Sequence, residues 1–370
     1  MLIDAGLTVI PYIRRNDDLR ATKLREKWRV ATQTTWSRTA FREIVQLIRQ
    51  EQPDIAHFHN TFPQISPSAY AACNLHGVPV VQTLHNYRLV CAGAMLLRDG
   101  QPCEACIDGT QALGLWHGMR HRCYRGSLLA TGALSLMLAV NRVNGSYSKN
   151  VSRYVALTKF AASRLQAGGL PVDRFVVKPN FLPSPPTAGS GKGGYAVYVG
   201  RLSAEKGVLT LLKAWKELSE IPLKVFGDGP LLDEMRKAVA LDHLKVSFYG
   251  FRPRSEVLAT VRDASIQIVP SECYEGFPMA ILEALACGTP VVASGIGSLN
   301  EIITDGVDGE KFKVGDPMEL AATVRRLLAD SKALAKMRCS ARESFDRHYT
   351  VERNIERTLE IYHDVLAERR

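Results

Sequence analysis

The sequence predicts an α/β chain of two domains, each built on a parallel sheet, and three observations predict it. The chain has 370 residues, 46% of them hydrophobic, which is too long for one ordinary core and comfortable for two. In both halves, apolar runs of strand length alternate with stretches of helical spacing, the order that yields parallel sheets with ligand chemistry where the strands end. Between the halves, residues 181–194 hold three prolines and four glycines among small residues, the composition of a linker.

In the first half, residues 7–12 read as a short strand, and a basic window follows with Arg20, Lys23, Arg25, Lys27 and Arg29. From Ser37, the apolar residues Phe41, Ile44, Val45 and Ile48 recur at helical spacing, and Pro53 stops that helix before a strand at 55–59. A helix at 68–75 leads through Gly77 to a strand at 78–84, which places His57, His59 and His85 at strand ends. Residues 86–126 have no clean period and form a long excursion rich in Cys, Gly and Arg. A helix at 128–140, a strand at 154–157 and a helix at 159–167 complete a first domain of 1–180. After the linker, strands at 195–200, 223–226, 246–249, 266–269 and 290–293 alternate with helices at 207–220, 255–261 and 280–286, giving a second domain at 195–345. The last stretch, 346–370, carries Ile355, Leu359, Ile361 and Tyr362 on one side and is expected to pack back toward the first domain.

The formal charge of +10 is unevenly spread. Residues 1–180 hold 22 Lys and Arg against 11 Asp and Glu, so the basicity belongs to the first half. That asymmetry suggests an anionic partner, and phosphate-bearing lipid, a membrane surface and nucleic acid fit the sign equally well. No zinc-finger, RRM or helix-turn-helix pattern accompanies the charge, so nucleic acid is not an expected partner. No Gly-x-Gly-x-x-Gly follows a strand, which argues against a dinucleotide-dependent oxidoreductase. The start Met1-Leu2-Ile3-Asp4 does not look like a secretory signal, and the longest apolar stretch, 128–140, is well short of the roughly 20 residues a bilayer requires. Cytoplasmic residence is expected, with peripheral attachment at the inner face of a membrane as an option.

Two segments of the second half carry the chemistry. A pyrophosphate ligand asks for cations and for N–H groups at helix starts, and sugar hydroxyls ask for carboxylates. Gly200-Arg201-Leu202-Ser203-Ala204-Glu205-Lys206-Gly207 places two cations just beyond a strand and at a helix mouth. Glu275-Gly276-Phe277-Pro278 lies in a loop before a helix, with Glu283 two turns on; Gly276 would let backbone N–H groups approach a ligand. A solvated loop with surface ion pairs is the competing reading of both segments. Taken in order, Gly200 to Ser203 with Glu205-Lys206-Gly207, then Gly227-Asp228-Gly229-Pro230, then Glu275 to Pro278 with Glu283, then Ala286-Cys287-Gly288-Thr289-Pro290-Val291-Val292, the set resembles the retaining glycosyltransferases of family 4.

The resemblance implies a GT-B architecture, two Rossmann-like domains facing across a cleft and closing on a UDP- or GDP-type sugar donor, with no metal in catalysis. It makes Arg201 and Lys206 partners of the pyrophosphate, Glu275 the partner of sugar hydroxyls and Glu283 that of the ribose. Gly200, Gly276, Phe277 and Pro278 then meet the donor, and Gly227, Phe251 and Arg252 line the base pocket. His85 becomes a positioning or electrostatic group near the reacting sugar, while His57 and His59 receive no specific role. The acceptor is a glycan or lipid-linked glycan, and a nucleotide-sugar-binding protein without transfer activity is the alternative.

Four cysteines, Cys91, Cys103, Cys106 and Cys123, fall within the excursion, and a structural tetrahedral zinc that staples it is one expectation, packed reduced thiols the other. The basic run Arg120-His121-Arg122-Cys123-Tyr124-Arg125 precedes the apolar helix, which is read either as resting on an anionic membrane or as an ordinary core helix. Relative to the family pattern, Met1 to Asp4 resembles the end of a first helix, so the first sheet is expected to be N-terminally incomplete. Its exposed strand would then need cover, for example from a second copy in a homo-oligomer, and transfer by the short form is expected to be poor.

Overall fold

Ser37 opens the first helix because its hydroxyl oxygen accepts from the Ala40 N–H at 3.2 Å, satisfying one of the free donors of the first turn. The helix α1 (Arg38–Glu51) buries Ala40, Ile44 and Ile48, the face that its apolar spacing predicts. In this computed structural model, which describes residues 1–15, 30, 32–108 and 111–368, the chain continues through β1 (Ala56–Phe58), α2 (Ser68–Leu75) and β2 (Val80–Leu84). Then come α3 (Gln111–Arg120), α4 (Leu128–Val143), β3 (Arg153–Ala156), α5 (Lys159–Ala167) and β4 (Phe175–Val177). The strands form a parallel sheet in the order β1-β2-β3-β4, with Ala56 opposite Val80 and Val81 opposite Arg153. Every residue of β2 is buried, as expected of a parallel strand covered on both faces.

The basic window from Arg20 to Arg29 lies outside the described residues. Residues 7–12 were expected as a strand and are not one. Their β-branched residues Thr8, Val9 and Ile10 suit extended chain, but a strand also needs a neighbour for its N–H and C=O groups. Side chains hold the segment instead: the Tyr12 hydroxyl donates to Glu43 Oε2 at 2.5 Å, and Arg14 pairs with the same carboxylate.

The second sheet is larger. It is assembled from β5 (Ala196–Val199), α6 (Val208–Glu217), β6 (Leu223–Phe226), α7 (Leu232–Leu241), β7 (Val246–Gly250) and α8 (Arg254–Asp263). β8 (Ile266–Val269), α9 (Met279–Ala286), β9 (Val291–Ser294), α10 (Leu299–Ile302) and β10 (Gly309–Phe312) follow, and α11 (Pro317–Ala329) and α12 (Ser331–His348) close it. All six strands are parallel in the order β10-β9-β8-β5-β6-β7. The order reverses between β5 and β8, whose registers pair Ile266 with Ala196. In an open parallel sheet such a switch point leaves a crevice beyond the strand ends, where ligands bind. Trp215, Leu211, Val225 and Ile268 are among the side chains of the core behind it.

Two compact units result, one of residues 1–98, 103–178 and 355–370, the other of 99–102 and 179–354. The last helix, α13 (Val351–Ala367), supplies Ile361, Tyr362 and Val365 to the first unit, where they pack with Val81 and Val155. Residues of 181–194 are bonded along the second unit, Gly189 N–H to Cys287 O at 2.9 Å and Gly193 N–H to Asp263 O at 2.8 Å.

The cysteine excursion corrects the zinc expectation. Among the described residues, no group of three or more His, Cys, Asp or Glu is placed to hold a metal ion, and Cys91, Cys103, Cys106 and Cys123 form no disulfide. The reason is that the segment has a core of its own. Val90, Leu96, Ile107 and Leu115 are buried, and Arg164 pairs with Glu104 at 2.6 Å. Burial, followed by the neighbouring Cys91, Cys123 and Cys103, pushes the Cys106 thiol up to about 12.

Candidate functional site

The switch point of the second sheet gathers several of the residues singled out from the sequence. After β5 the chain turns through Gly200 and Arg201 into a 3-10 turn, Ala204–Lys206, and enters α6 at Gly207. Backbone bonds fix this loop to the next one: Gly200 N–H donates to Phe226 O at 3.0 Å, and Leu202 N–H to Asp228 O at 2.9 Å. Two glycines are required here. Gly207 has φ +67°, and a Cβ there would stand 1.7 Å from Pro270 O; Gly227 has φ +126°, and a Cβ there would stand 1.9 Å from Gly200 O. Because both obstacles are backbone atoms, Gly207→Ala is expected to cost about 3 kcal/mol or more. Thermal unfolding should show this as a drop of roughly 10 °C, and an unchanged melting temperature would mean the loop can move aside.

Lys206 and Glu275 come from the loops after β5 and β8, neighbouring strands, and meet there. Lys206 Nζ donates to Glu275 Oε1 at 2.6 Å, and the Ser271 hydroxyl donates to the same oxygen at 2.7 Å. Burial opposes the charge on Lys206, but the Glu275 carboxylate outweighs it through its charge and the hydrogen bond, and the lysine pKa ends above its usual range. Both side chains keep some exposure, 28% and 13%, so the pair borders solvent. The carboxylates behind it are held too, Glu205 by Ser203 at 2.5 Å and Glu272 by Thr210 at 2.6 Å. The thiol of Cys273, pushed up to about 12 chiefly by burial, packs beside them.

The loop Glu275-Gly276-Phe277-Pro278 leads into α9. No side chain caps that helix; Ile281 N–H donates to Pro278 O at 3.1 Å, and the N–H groups of Met279 and Ala280 before it are placed for another acceptor. Phe277 is buried, edge-on to Tyr349 at 5.6 Å. On α9, Glu283 Oε1 accepts from Arg254 Nε at 2.8 Å. Arg201 is exposed, and its carbonyl accepts from the Tyr198 hydroxyl at 2.8 Å. Arg252 donates to Tyr249 O at 3.0 Å, whereas Phe251 is 91% exposed. Sequence reasoning missed Arg254 and Ser271, which orient the two carboxylates. Arg254 stands at a helix start shortly after Arg252, but nothing in its spacing names Glu283 as partner.

The first unit holds a pocket of about 240 Å³, lined among others by His59, Asn60, Gln82, His85, Arg88 and Tyr147. No carboxylate is among its described lining residues. Gln82 organises the rim: it accepts from the Tyr70 hydroxyl at 2.6 Å and donates to His59 O at 2.8 Å. Arg88 lies over the rings of Phe62 and Tyr124 at 4.6 and 5.1 Å. His85 Nε2 and His59 Nδ1 are 3.0 Å apart, and the His57 ring is stacked on that of His59.

His57 bonds Tyr362 Oη at 2.6 Å and Thr83 Oγ1 at 2.7 Å. Burial first, then His59, Lys178 and His85, lowers its pKa to about 3, while burial and nearby cations lower those of His59, to about 4, and His85. Burial lowers Lys178 to about 8. A histidine whose folded pKa is depressed takes up fewer protons than the unfolded chain, so its stability contribution is present above about 6.5 and is lost as pH falls toward 3. For His57 alone this is on the order of 1–2 kcal/mol by pH 5. His57→Asn should flatten the fall of melting temperature between pH 7 and 5; a parallel curve would place the acid sensitivity elsewhere.

A parallel sheet with a paired lysine and glutamate at its switch point, in a chain that has a second parallel-sheet unit, defines a class, and sequence comparison agrees. The model of the glycosyl transferases group 1 matches residues 186–344, and that of the glycosyl transferase 4-like domain matches residues 10–180. The chain belongs to the GT-B glycosyltransferases related to family 4.

Particular relatives fall in the same group. The chain is 27% identical over 363 residues to the 2-deoxystreptamine glucosyltransferase of Streptomyces kanamyceticus, covering 91% of this chain and 87% of that protein. An uncharacterized glycosyltransferase of Methanocaldococcus jannaschii is 25% identical over 235 residues, 62% of this chain and 66% of its own length, just under two thirds. The Anabaena protein HepE, solved in complex with UDP, superposes with a TM-score of 0.64 at 18% identity, covering 88% of this chain and 82% of that one, a likeness of fold.

Proposed function

We propose that the protein transfers a hexosyl group, with retention, from a UDP- or GDP-type sugar to a glycan or lipid-linked glycan. The observation that carries it is the Lys206–Glu275 pair at the switch point, where a cation and a carboxylate face solvent beside an uncapped helix start. Lys206 and Arg201 take the diphosphate, whose negative charge grows as the glycosidic bond breaks, so their attraction is greatest in the transition state. Glu275, relieved of the lysine, accepts from sugar hydroxyls. Glu283, oriented by Arg254, accepts from the ribose. Backbone at Gly200, Gly276, Phe277 and Pro278 approaches the donor, and Gly227 and Arg252 border the base.

The pocket of the first unit supports the acceptor side. Asn60, Asn86 and the Tyr147 hydroxyl, which is buried with no hydrogen-bond partner among the described residues, suit a hydroxylated group, and Arg88 favours a neutral or anionic one. With no carboxylate among the described lining residues, and with burial lowering the basicity of His59 and His85, the departing phosphate is the proton acceptor and His85 positions the reacting sugar. The reading includes peripheral attachment to an anionic membrane, where lipid-linked acceptors reside. Mass spectrometry of products from a panel of nucleotide sugars and acceptors tests it. A hexosyl increment on an acceptor supports transfer, whereas binding of the nucleotide without product on any acceptor favours a sugar-nucleotide-binding protein.

A further inference from the structure

We propose that the outward face of α4, with the basic turn before it, docks on an anionic phospholipid bilayer; this rests on the membrane part of the functional reading and gives it a surface. The inner side of α4 is satisfied, since Thr131, Leu134, Met137 and Leu138 are buried in the first unit. The outer side is apolar too. Leu129, Leu136 and Val143 recur every seven residues and are 79%, 59% and 86% exposed, with small or apolar residues at 132, 133, 139 and 140 between them. A surface helix ordinarily turns charged residues outward, and one that is apolar all round is expected in a core or a membrane. At 16 residues α4 does not span, and no described helix is long and apolar enough to do so. Trp116, 60% exposed on the neighbouring α3, adds the side chain best suited to a bilayer interface.

Charge selects the occupant. Between Asp108 and Asp173 the sequence has eight Lys and Arg and no Asp or Glu. Arg120, Arg122 and Arg125 are exposed at the start of the ridge, and Lys149 is exposed beyond its end. A second copy laid on this face would bring cation to cation in either orientation, since both ends of the ridge are basic. A bilayer with anionic headgroups meets both features, apolar ridge in the acyl boundary and arginines at the phosphates.

Co-sedimentation of the full chain with mixed phosphatidylcholine–phosphatidylglycerol vesicles, against pure phosphatidylcholine, tests this. The chain should bind the anionic vesicles and release them with salt. Leu129→Ser with Leu136→Ser and Val143→Ser should weaken binding by at least about tenfold. Arg120→Gln with Arg122→Gln and Arg125→Gln should weaken it comparably and flatten its salt dependence. Both variants should keep the melting temperature and the nucleoside diphosphate affinity of the parent, because the altered side chains are exposed. Absence of binding by the parent chain would overturn the membrane reading itself. Binding by the parent that both variants retain would overturn this face alone. Concentration-dependent self-association in sedimentation velocity that the serine variant abolishes would assign the ridge to a second copy instead.

Discussion

Lys206→Ala is expected to lower the turnover number by roughly 100- to 1,000-fold at saturating donor, the scale seen when one preorganised charge is removed from a site of developing charge. Donor affinity should fall as well, but the loss of turnover distinguishes the account. A lysine that merely binds ground-state diphosphate would raise KM and leave kcat unchanged. The present contact explains why the side chain is poised: its ammonium is held at 2.6 Å by Glu275 and kept charged well above neutral pH. Steady-state kinetics across donor concentrations separate the two outcomes, and an unchanged turnover number would remove Lys206 from the transition state.

Glu275→Ala should lower sugar transfer by about 100-fold while changing the affinity for free nucleoside diphosphate by no more than about threefold. The expectation follows from the division of labour at the switch point, where the carboxylate is assigned to sugar hydroxyls and the cations to phosphate. Calorimetric titration with the nucleotide sugar and with its nucleoside diphosphate provides the comparison. Equal losses for both ligands would show that Glu275 serves only to hold Lys206 and the Ser271 loop in place.

Much of the fold could be read from the residues because local rules agree with it. Ser37 and Thr158 cap helices that begin where the spacing places them, and the run at 80–84, apolar but for Gln82 and Thr83, is a strand buried along its whole length. Residues 7–12 show the limit, since β-branched residues favour an extended chain but do not say whether another strand lies beside it. The cysteines show another. Loose spacing could not reveal that Leu96, Ile107 and Leu115 would give the excursion its own core. In the candidate site, motif order pointed to Lys206 and Glu275 separately, but their contact spans 69 residues and exists only because β5 and β8 are neighbours. The Arg254–Glu283 pair is likewise a product of tertiary placement.

The double variant Lys206→Ala with Glu275→Ala tests the central claim most directly. Removing one partner leaves the other's charge half-buried and uncompensated, at a cost of about 1–2 kcal/mol, and removing both relieves it. If the pair belongs to the donor, the double variant should regain the parent's melting temperature relative to either single variant, yet transfer no faster than Lys206→Ala alone. Recovery of turnover together with stability would contradict the account, because it would mean that the lysine and the glutamate matter only to each other.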